Sequence, residues 1–399
     1  MRQRVANAPT SEPSSAVFSR RTAIEARKNA LSRALERTPP RFDLTQSNPT
    51  HTSLPYATNV LLQALDNAAA RRYDPDPRGL QHARTAVANE FLQRGAAVDP
   101  DHVFLCSGTS EAYGFLFKLL CDPGDEVLIP APSYPLFDHL CRLEGVETRP
   151  YPLHYDGEWH AGIAELRAAI SERTRAVLVV SPNNPTGSYL KKSELSRLEA
   201  LGLPIIADEV FAEYPLRDDP SRVWSALENP RTLTFALGGL SKAAGLPQWK
   251  VAWLAMRGPE DAVAEASERL ELIADTYLSV ATPTQHALPK LLELSAGVRA
   301  AIRTRLTRNL GALRRAITGC PSLSLLDVEG GFYATLRLPN TRSEEAWVLE
   351  LLEHDSVHVH PGFFFDFPSE AYVVVSLLTE EAVFDAGVDR LVQRVASEN

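Results

Sequence analysis

The chain has 399 residues, 44% hydrophobic and 23% charged, with a formal net charge of −9 at pH 7. That length exceeds one ordinary domain and predicts two, and the acidic balance argues against nucleic acid as a partner, because phosphate backbones select basic surfaces. No apolar run approaches the roughly 18 residues that a membrane span needs. The cysteines Cys106, Cys121, Cys141 and Cys320 lack metal-ligand spacing, so no metal is expected and reduced thiols in a cytoplasmic protein are.

In chain order, residues 1–20 are rich in Ser, Pro, Ala and Arg, lack the apolar core of a signal peptide, and read as a disordered tail. Residues 22–37 predict an amphipathic helix stopped by Thr38-Pro39-Pro40, followed by an extended segment over 42–50. Short apolar runs then alternate with helical stretches. Strands are predicted at 103–107, 126–130, 175–181, 203–208, 232–238 and 251–256, with helices such as 110–121 and 192–201 between them. This alternation implies a mostly parallel sheet with helices on both faces.

Over residues 298–317, Val298, Ile302, Leu306, Leu310, Leu313 and Ile317 recur at helical spacing. The intervening Arg299, Arg303, Arg305, Arg308, Arg314 and Arg315 are therefore predicted to form a solvated face. Strands at 323–328, 332–338, 357–361 and 372–378, with helices at 343–354 and 379–395, predict a smaller α+β domain. The expected division is a tail at 1–20, an N-terminal segment at 21–55 packing with the small domain, a large domain at 56–295 and the small domain at 296–399.

Several polar residues fall at predicted strand ends, where open parallel sheets bind ligands. Asp208 closes one strand, in Ile206-Ala207-Asp208-Glu209-Val210-Phe211, and alone would read as a helix cap. Asn184 follows another within Ser181-Pro182-Asn183-Asn184-Pro185-Thr186-Gly187, which alone is a turn motif. Ser107-Gly108-Thr109-Ser110-Glu111 joins a strand to a helix and could cap it or present backbone N–H groups to a phosphate. In Leu237-Gly238-Gly239-Leu240-Ser241-Lys242 a lysine follows a strand and a glycine pair, where a lone lysine would be a surface residue.

The set, in this order, resembles the class I/II aminotransferases, fold-type I enzymes of the aspartate aminotransferase superfamily that use pyridoxal 5′-phosphate (PLP). The resemblance runs from about Phe42 to Leu391. It rests on Asn183-Asn184-Pro185-Thr186-Gly187, Asp208-Glu209-Val210 and Ser241-Lys242, with support from Pro132-Ser133-Tyr134-Pro135 and Gly330-Gly331-Phe332-Tyr333. It implies that Lys242 forms a Schiff base with the cofactor and later shuttles a proton. Asp208 would pair with the pyridinium nitrogen, Asn184 would donate to the phenolic oxygen, and Tyr134 would stack on the ring. Gly108, Thr109, Ser110, Ser241 and Lys250 would hold the phosphate, and Tyr73 would reach the phosphate site of a second subunit in a homodimer. Ser47 and Asn184 would meet substrate.

Four positions depart from the family pattern. Lys250 stands where arginine is usual, giving a point charge instead of a planar fork. Gly239 replaces a common serine, and Phe211 replaces a tyrosine that also bonds the phenolic oxygen. Val374, in Tyr372-Val373-Val374-Val375-Ser376, takes the place of the arginine that grips the substrate α-carboxylate. Either another group reads the carboxylate, or the substrate is not a plain α-amino acid.

The resemblance implies an aminotransferase moving an amino group from an amino compound to a 2-oxo acid, with ping-pong kinetics. A PLP-dependent lyase, decarboxylase or racemase is the alternative, since function belongs to the site more than to the fold. The ligand-sensing half of a transcription regulator would need a DNA-binding domain for which the N-terminal segment is too short. A dinucleotide-binding dehydrogenase is excluded by the lack of Gly-x-Gly-x-x-Gly after a first strand.

Overall fold

The computed structural model describes residues 17–23 and 28–397. The predicted tail therefore lies almost wholly outside the described residues, as do residues 24–27 of the predicted first helix. The described part of that helix, Ala30–Arg37, starts at Asn29, whose side chain accepts from the Ser32 backbone N–H, and stops before Thr38-Pro39-Pro40.

Strand β1 (Phe42–Asp43) follows. The chain then lays down β2 (Val103–Cys106), β3 (Glu126–Ala131), β4 (Glu147–Tyr155), β5 (Trp159–Ala161), β6 (Thr174–Val180), β7 (Ile205–Asp208), β8 (Thr234–Gly239) and β9 (Ala252–Arg257). These eight form one sheet in the order β2-β9-β8-β7-β6-β3-β4-β5. The central strands pair in parallel, whereas β9 runs antiparallel to both β8 and β2. All four residues of β7 and all six of β8 are buried, as expected for strands covered on both faces. The predicted strands all recur within a few residues. Sequence periodicity missed β4 and the edge strand β5: Pro150 and Pro152 interrupt β4 where it pairs with β3 alone, and most of its residues are partly or fully exposed.

The smaller unit contains β10 (Ser324–Leu325), β11 (Tyr333–Arg337), β12 (Val357–His358), β13 (His360–Pro361) and β14 (Tyr372–Ser376). Four of them form a sheet in the order β10-β11-β14-β13, antiparallel at each pairing. The N-terminal β1 pairs with β12, and Ser376 N–H donates to Leu44 O at 2.6 Å, so the N-terminal segment is stitched onto this unit.

One helix, Thr282–Ile317, joins the two units without a break. Leu288 and Leu291 pack under the large sheet, while Ile302, Leu306 and Leu310 enter the core of the small unit. Three of its arginines, Arg299, Arg305 and Arg308, depart from the expectation of a solvated face. Arg299 is buried, donating to Ala243 O at 2.6 Å and to Glu90 at 2.5 Å. Arg303 donates to Glu213 O, Arg305 pairs with Glu381, and Arg308 pairs with Asp385. Arg303, Arg314 and Arg315 are exposed as expected. Helical spacing identifies a polar face but not what covers it; here neighbouring elements cover half of its arginines.

Candidate active site

Strands β3, β6, β7 and β8 run parallel, so their carboxyl ends lie at one edge of the sheet. Register brings Val180 opposite Asp208 and Asp208 opposite Leu237. Asn184 lies four residues past the end of β6, Asp208 ends β7, and Lys242 lies three residues past the end of β8, in the short helix Leu240–Ala243. Because β2 is antiparallel to β9, which is itself antiparallel to β8, β2 ends at this edge too.

Reversal of β9 brings its beginning to the same place. The Cys106–Ala252 pairing, extended by two residues, sets Gly108 opposite Lys250. A Cβ on Gly108 would sit 3.4 Å from Lys250 Nζ, so the lysine amine lies directly over the glycine. The helix Thr109–Leu120 starts here with Gly108 as its N-cap and no side-chain cap, leaving first-turn N–H groups free for an anion. Lys250 itself has φ of 50°, the left-handed region, which turns the chain into β9. Gly239 has its own cause: a Cβ there would meet Ala252 Cβ at 3.0 Å and Val251 O at 3.2 Å, tight for a serine.

Asp208 is buried, and its carboxylate accepts from Tyr113 Oη at 2.7 Å and from the Val210 N–H at 3.1 Å. Burial pushes its carboxyl above the usual range, while Tyr113, Val210 and the cationic Lys242 favour the ionised form. Lys242 Nζ lies 5.6 Å from the Phe211 ring centre and 5.7 Å from that of Phe332. Desolvation lowers its amine to about 8, against the attraction of Asp208. The Lys242 carbonyl accepts from Tyr214 Oη at 2.5 Å, which fixes the backbone beneath the amine.

The loop after β6 is locked by Asn183. Its side chain accepts from Ser133 Oγ at 2.7 Å and donates to Pro132 O and to Thr186 Oγ1. Asn184 is buried beside it with its Oδ1 lacking any partner, so its amide has a free hydrogen-bonding end. Tyr134 follows Ser133; burial and the Asp208 carboxylate push its phenol up to about 12, with Tyr333 adding a smaller push. Tyr333 hydrogen-bonds Ser47, which brings the N-terminal segment to the cluster.

Tyr73 does not join the cluster within one chain. It is 74% exposed and lies beside Asp74, Pro75, Val280 and Thr282. Sequence reasoning missed Tyr113 and Tyr214. A signal existed for Tyr113, which stands four residues after Thr109 and so one turn into the helix below the cradle. Tyr214 offered none, since its partner is a main-chain carbonyl.

These features suit a phosphorylated pyridine aldehyde: an amine lowered to about 8, a buried acid three strands from a cation-capped helix start, and a buried asparagine at the same sheet edge. Comparison with known proteins agrees. The family model for aminotransferase class I and II matches residues 39–391. The chain is 30% identical over 328 residues to an alanine aminotransferase of Mycobacterium tuberculosis, covering 79% of this chain and 76% of that one. It is 27% identical over 336 residues to the glutamate-pyruvate aminotransferase AlaA of Escherichia coli, covering 82% and 83%. Among solved structures, a Thermus thermophilus aspartate aminotransferase double mutant superposes with a TM-score of 0.80 at 26% identity, covering 94% of this chain and 99% of that one. An Escherichia coli aminotransferase gives 0.82 at 24% identity over 95% and 98%, a likeness of fold.

Proposed function

Because this chain belongs to the aminotransferase class I and II family and is a PLP-dependent aminotransferase, we propose that Lys242 holds the cofactor and that amino transfer takes place at its amine. The observation that carries this assignment is an enclosed lysine amine, lowered to about 8, within electrostatic reach of buried Asp208. Bound PLP supplies an aldehyde that captures amines and a ring that withdraws electrons. Lys242, partly unprotonated near neutral pH, is the nucleophile for that aldehyde. Once displaced by substrate, it is the base that moves a proton at the carbon bearing the amine.

Asp208 holds a proton on the ring nitrogen, its ionised form supported by Tyr113 and Val210. Asn184 donates through its side-chain NH2 to the phenolic oxygen, and Tyr134 covers a ring face. The Thr109 and Ser110 N–H groups, Gly108, Ser241 and Lys250 take the phosphate. Ser47, tied to Tyr333, and Asn184 face the substrate. Exposed Tyr73 completes the phosphate site of a second copy, making the working form a homodimer. Four free cysteines fit a reducing cytoplasm.

The relatives named above are aminotransferases, which supports an amino donor and a 2-oxo acid as the substrate pair over the lyase, decarboxylase or racemase alternative. Borohydride treatment of the purified holoprotein tests the assignment. Reduction should fix the cofactor to the peptide carrying Lys242, and label on any other lysine would refute it. An amino-donor screen, following the cofactor's conversion to its amine form, then tests transfer.

A further inference from the structure

The small sheet turns one face to its own core and the other toward the cluster. Ala334, Leu336, Val373 and Val375 belong to the core. Residues directly opposite one another share a face and alternate along each strand, so the other face carries Tyr333, Thr335, Val374, Ser376 and, on the outer strand, His360, with Tyr372 and the exposed Arg337 at its far end. Register sets Tyr333 opposite Ser376, and places both Thr335 and His360 opposite Val374. Val374 is fully buried between them, and neither neighbour is a guanidinium.

Most hydrogen-bonding groups on this face are committed. Thr335 Oγ1 reaches Pro185 O at 3.4 Å, Ser376 Oγ donates to Gln46 O at 2.7 Å, and Tyr333 bonds Ser47. His360 differs, because its Nδ1 is buried without a partner. An unmet buried polar atom destabilises the fold, a cost that a ligand group can recover. The ring is wedged between Phe364 and Phe365, at 6.2 and 5.8 Å. Phe365 O accepts from the Ser133 N–H at 2.9 Å, so His360 stands beside the loop that carries Tyr134. Behind it His358, 6.0 Å away ring to ring, faces Asp43, which also accepts from Thr45. Burial, with His358 nearby, lowers the His360 imidazole to about 4 against the pull of Asp43, so it is neutral at physiological pH.

We propose that His360 is a specificity-determining residue, reading through one hydrogen bond the group attached beside the substrate amine, so that α-amino acids and their carboxyl-neutral counterparts, amides and amino alcohols, are accepted to a similar degree. The proposal rests on the aminotransferase reading of the same site. A guanidinium fork would favour a carboxylate through two charge-assisted bonds and full opposite charge. An uncharged imidazole over a valine offers a single bond, ionised on the ligand's side alone, so its preference for a carboxylate over an amide is far smaller.

Spectral titration of the holoenzyme with L-alanine, L-alaninamide and isopropylamine, which lacks the group, gives three dissociation constants. In the wild type, L-alanine and L-alaninamide should bind within about tenfold of each other. His360→Phe, which suits the surrounding phenylalanines, should weaken both about tenfold relative to isopropylamine, the equivalent of one lost hydrogen bond. His360→Gln should restore part of the difference. A wild-type preference for L-alanine over L-alaninamide above a hundredfold, or a His360→Phe variant that shifts all three constants alike, overturns the proposal. Failure of every donor to convert the cofactor overturns the aminotransferase reading instead, while the binding ratios still decide on His360.

Discussion

Replacing Lys242 with methionine, a side chain of nearly equal length, isolates the cost of enclosing its amine in the cofactor-free protein. Burial holds that amine at about 8 instead of 10.5, after the opposing attraction of Asp208 is counted. At about 1.4 kcal/mol per pH unit, this gap makes the protonated amine cost folding about 3 kcal/mol. Below pH 8 the amine is protonated in both folded and unfolded chains, so the full cost applies. Between pH 8 and 10.5 the unfolded chain binds more protons, and stability rises with pH. Above 10.5 the amine is neutral in both, and this contribution vanishes. Lys242→Met should therefore be more stable than the wild type by about 3 kcal/mol at pH 7, with the advantage fading towards pH 11. Urea denaturation of both proteins at several pH values, followed by tryptophan fluorescence, measures the difference; titrating groups other than Asp208, whose ionisation Lys242 favours, are common to both and cancel. A difference that stays constant from pH 7 to 10.5, or a wild type more stable at pH 7, would refute the reasoning.

Tyr113→Phe removes one of two donors to Asp208, a bond to a charged group worth about 1.5–3 kcal/mol. The Asp208 carboxyl should rise further, kcat should fall about tenfold or more, and the acidic limb of the kcat–pH profile should move upward; an unmoved limb would separate Tyr113 from the function of Asp208. Phe211→Tyr places a hydroxyl among Lys242, Phe332 and Tyr333. A second donor to the cofactor's phenolic oxygen should lower the pKa of the Lys242-linked cofactor in a spectrophotometric titration, and an unchanged or raised value would contradict this.

Much of the site was legible because its residues sit at positions that topology controls. Strand ends can be located from apolar runs, so Asp208, Asn184 and Lys242 could be assigned to one edge before any coordinates. Contacts that cross elements were not legible. Nothing local ties Tyr113 to Asp208, 95 residues away, or Tyr214 to the carbonyl of Lys242. Arg299, Arg305 and Arg308 of the Thr282–Ile317 helix failed for the same reason, since periodicity sees one helix and not its neighbours. Pro150 and Pro152 hid β4, because a stretch paired on one side only tolerates prolines that a central one would not.

Reversal of β9 has a consequence for which changes in chain length the protein tolerates. The segment between Lys242 and Ala252 is anchored at both ends, by β8 before it and by the Cys106–Ala252 rung after it. Its length is thus a ruler that sets Lys242, the proposed cofactor lysine, past the end of β8 and Lys250 over Gly108. Insertion or deletion of a single residue there would flip the faces of β9, sending Trp253 and Leu254 to the wrong sides of the sheet. It would also carry Lys250 away from the cradle, so catalysis and folding would be lost in one step. The exposed turn at 156–158, between β4 and β5, carries no such double anchor to the site and should accept extra residues with little effect on either.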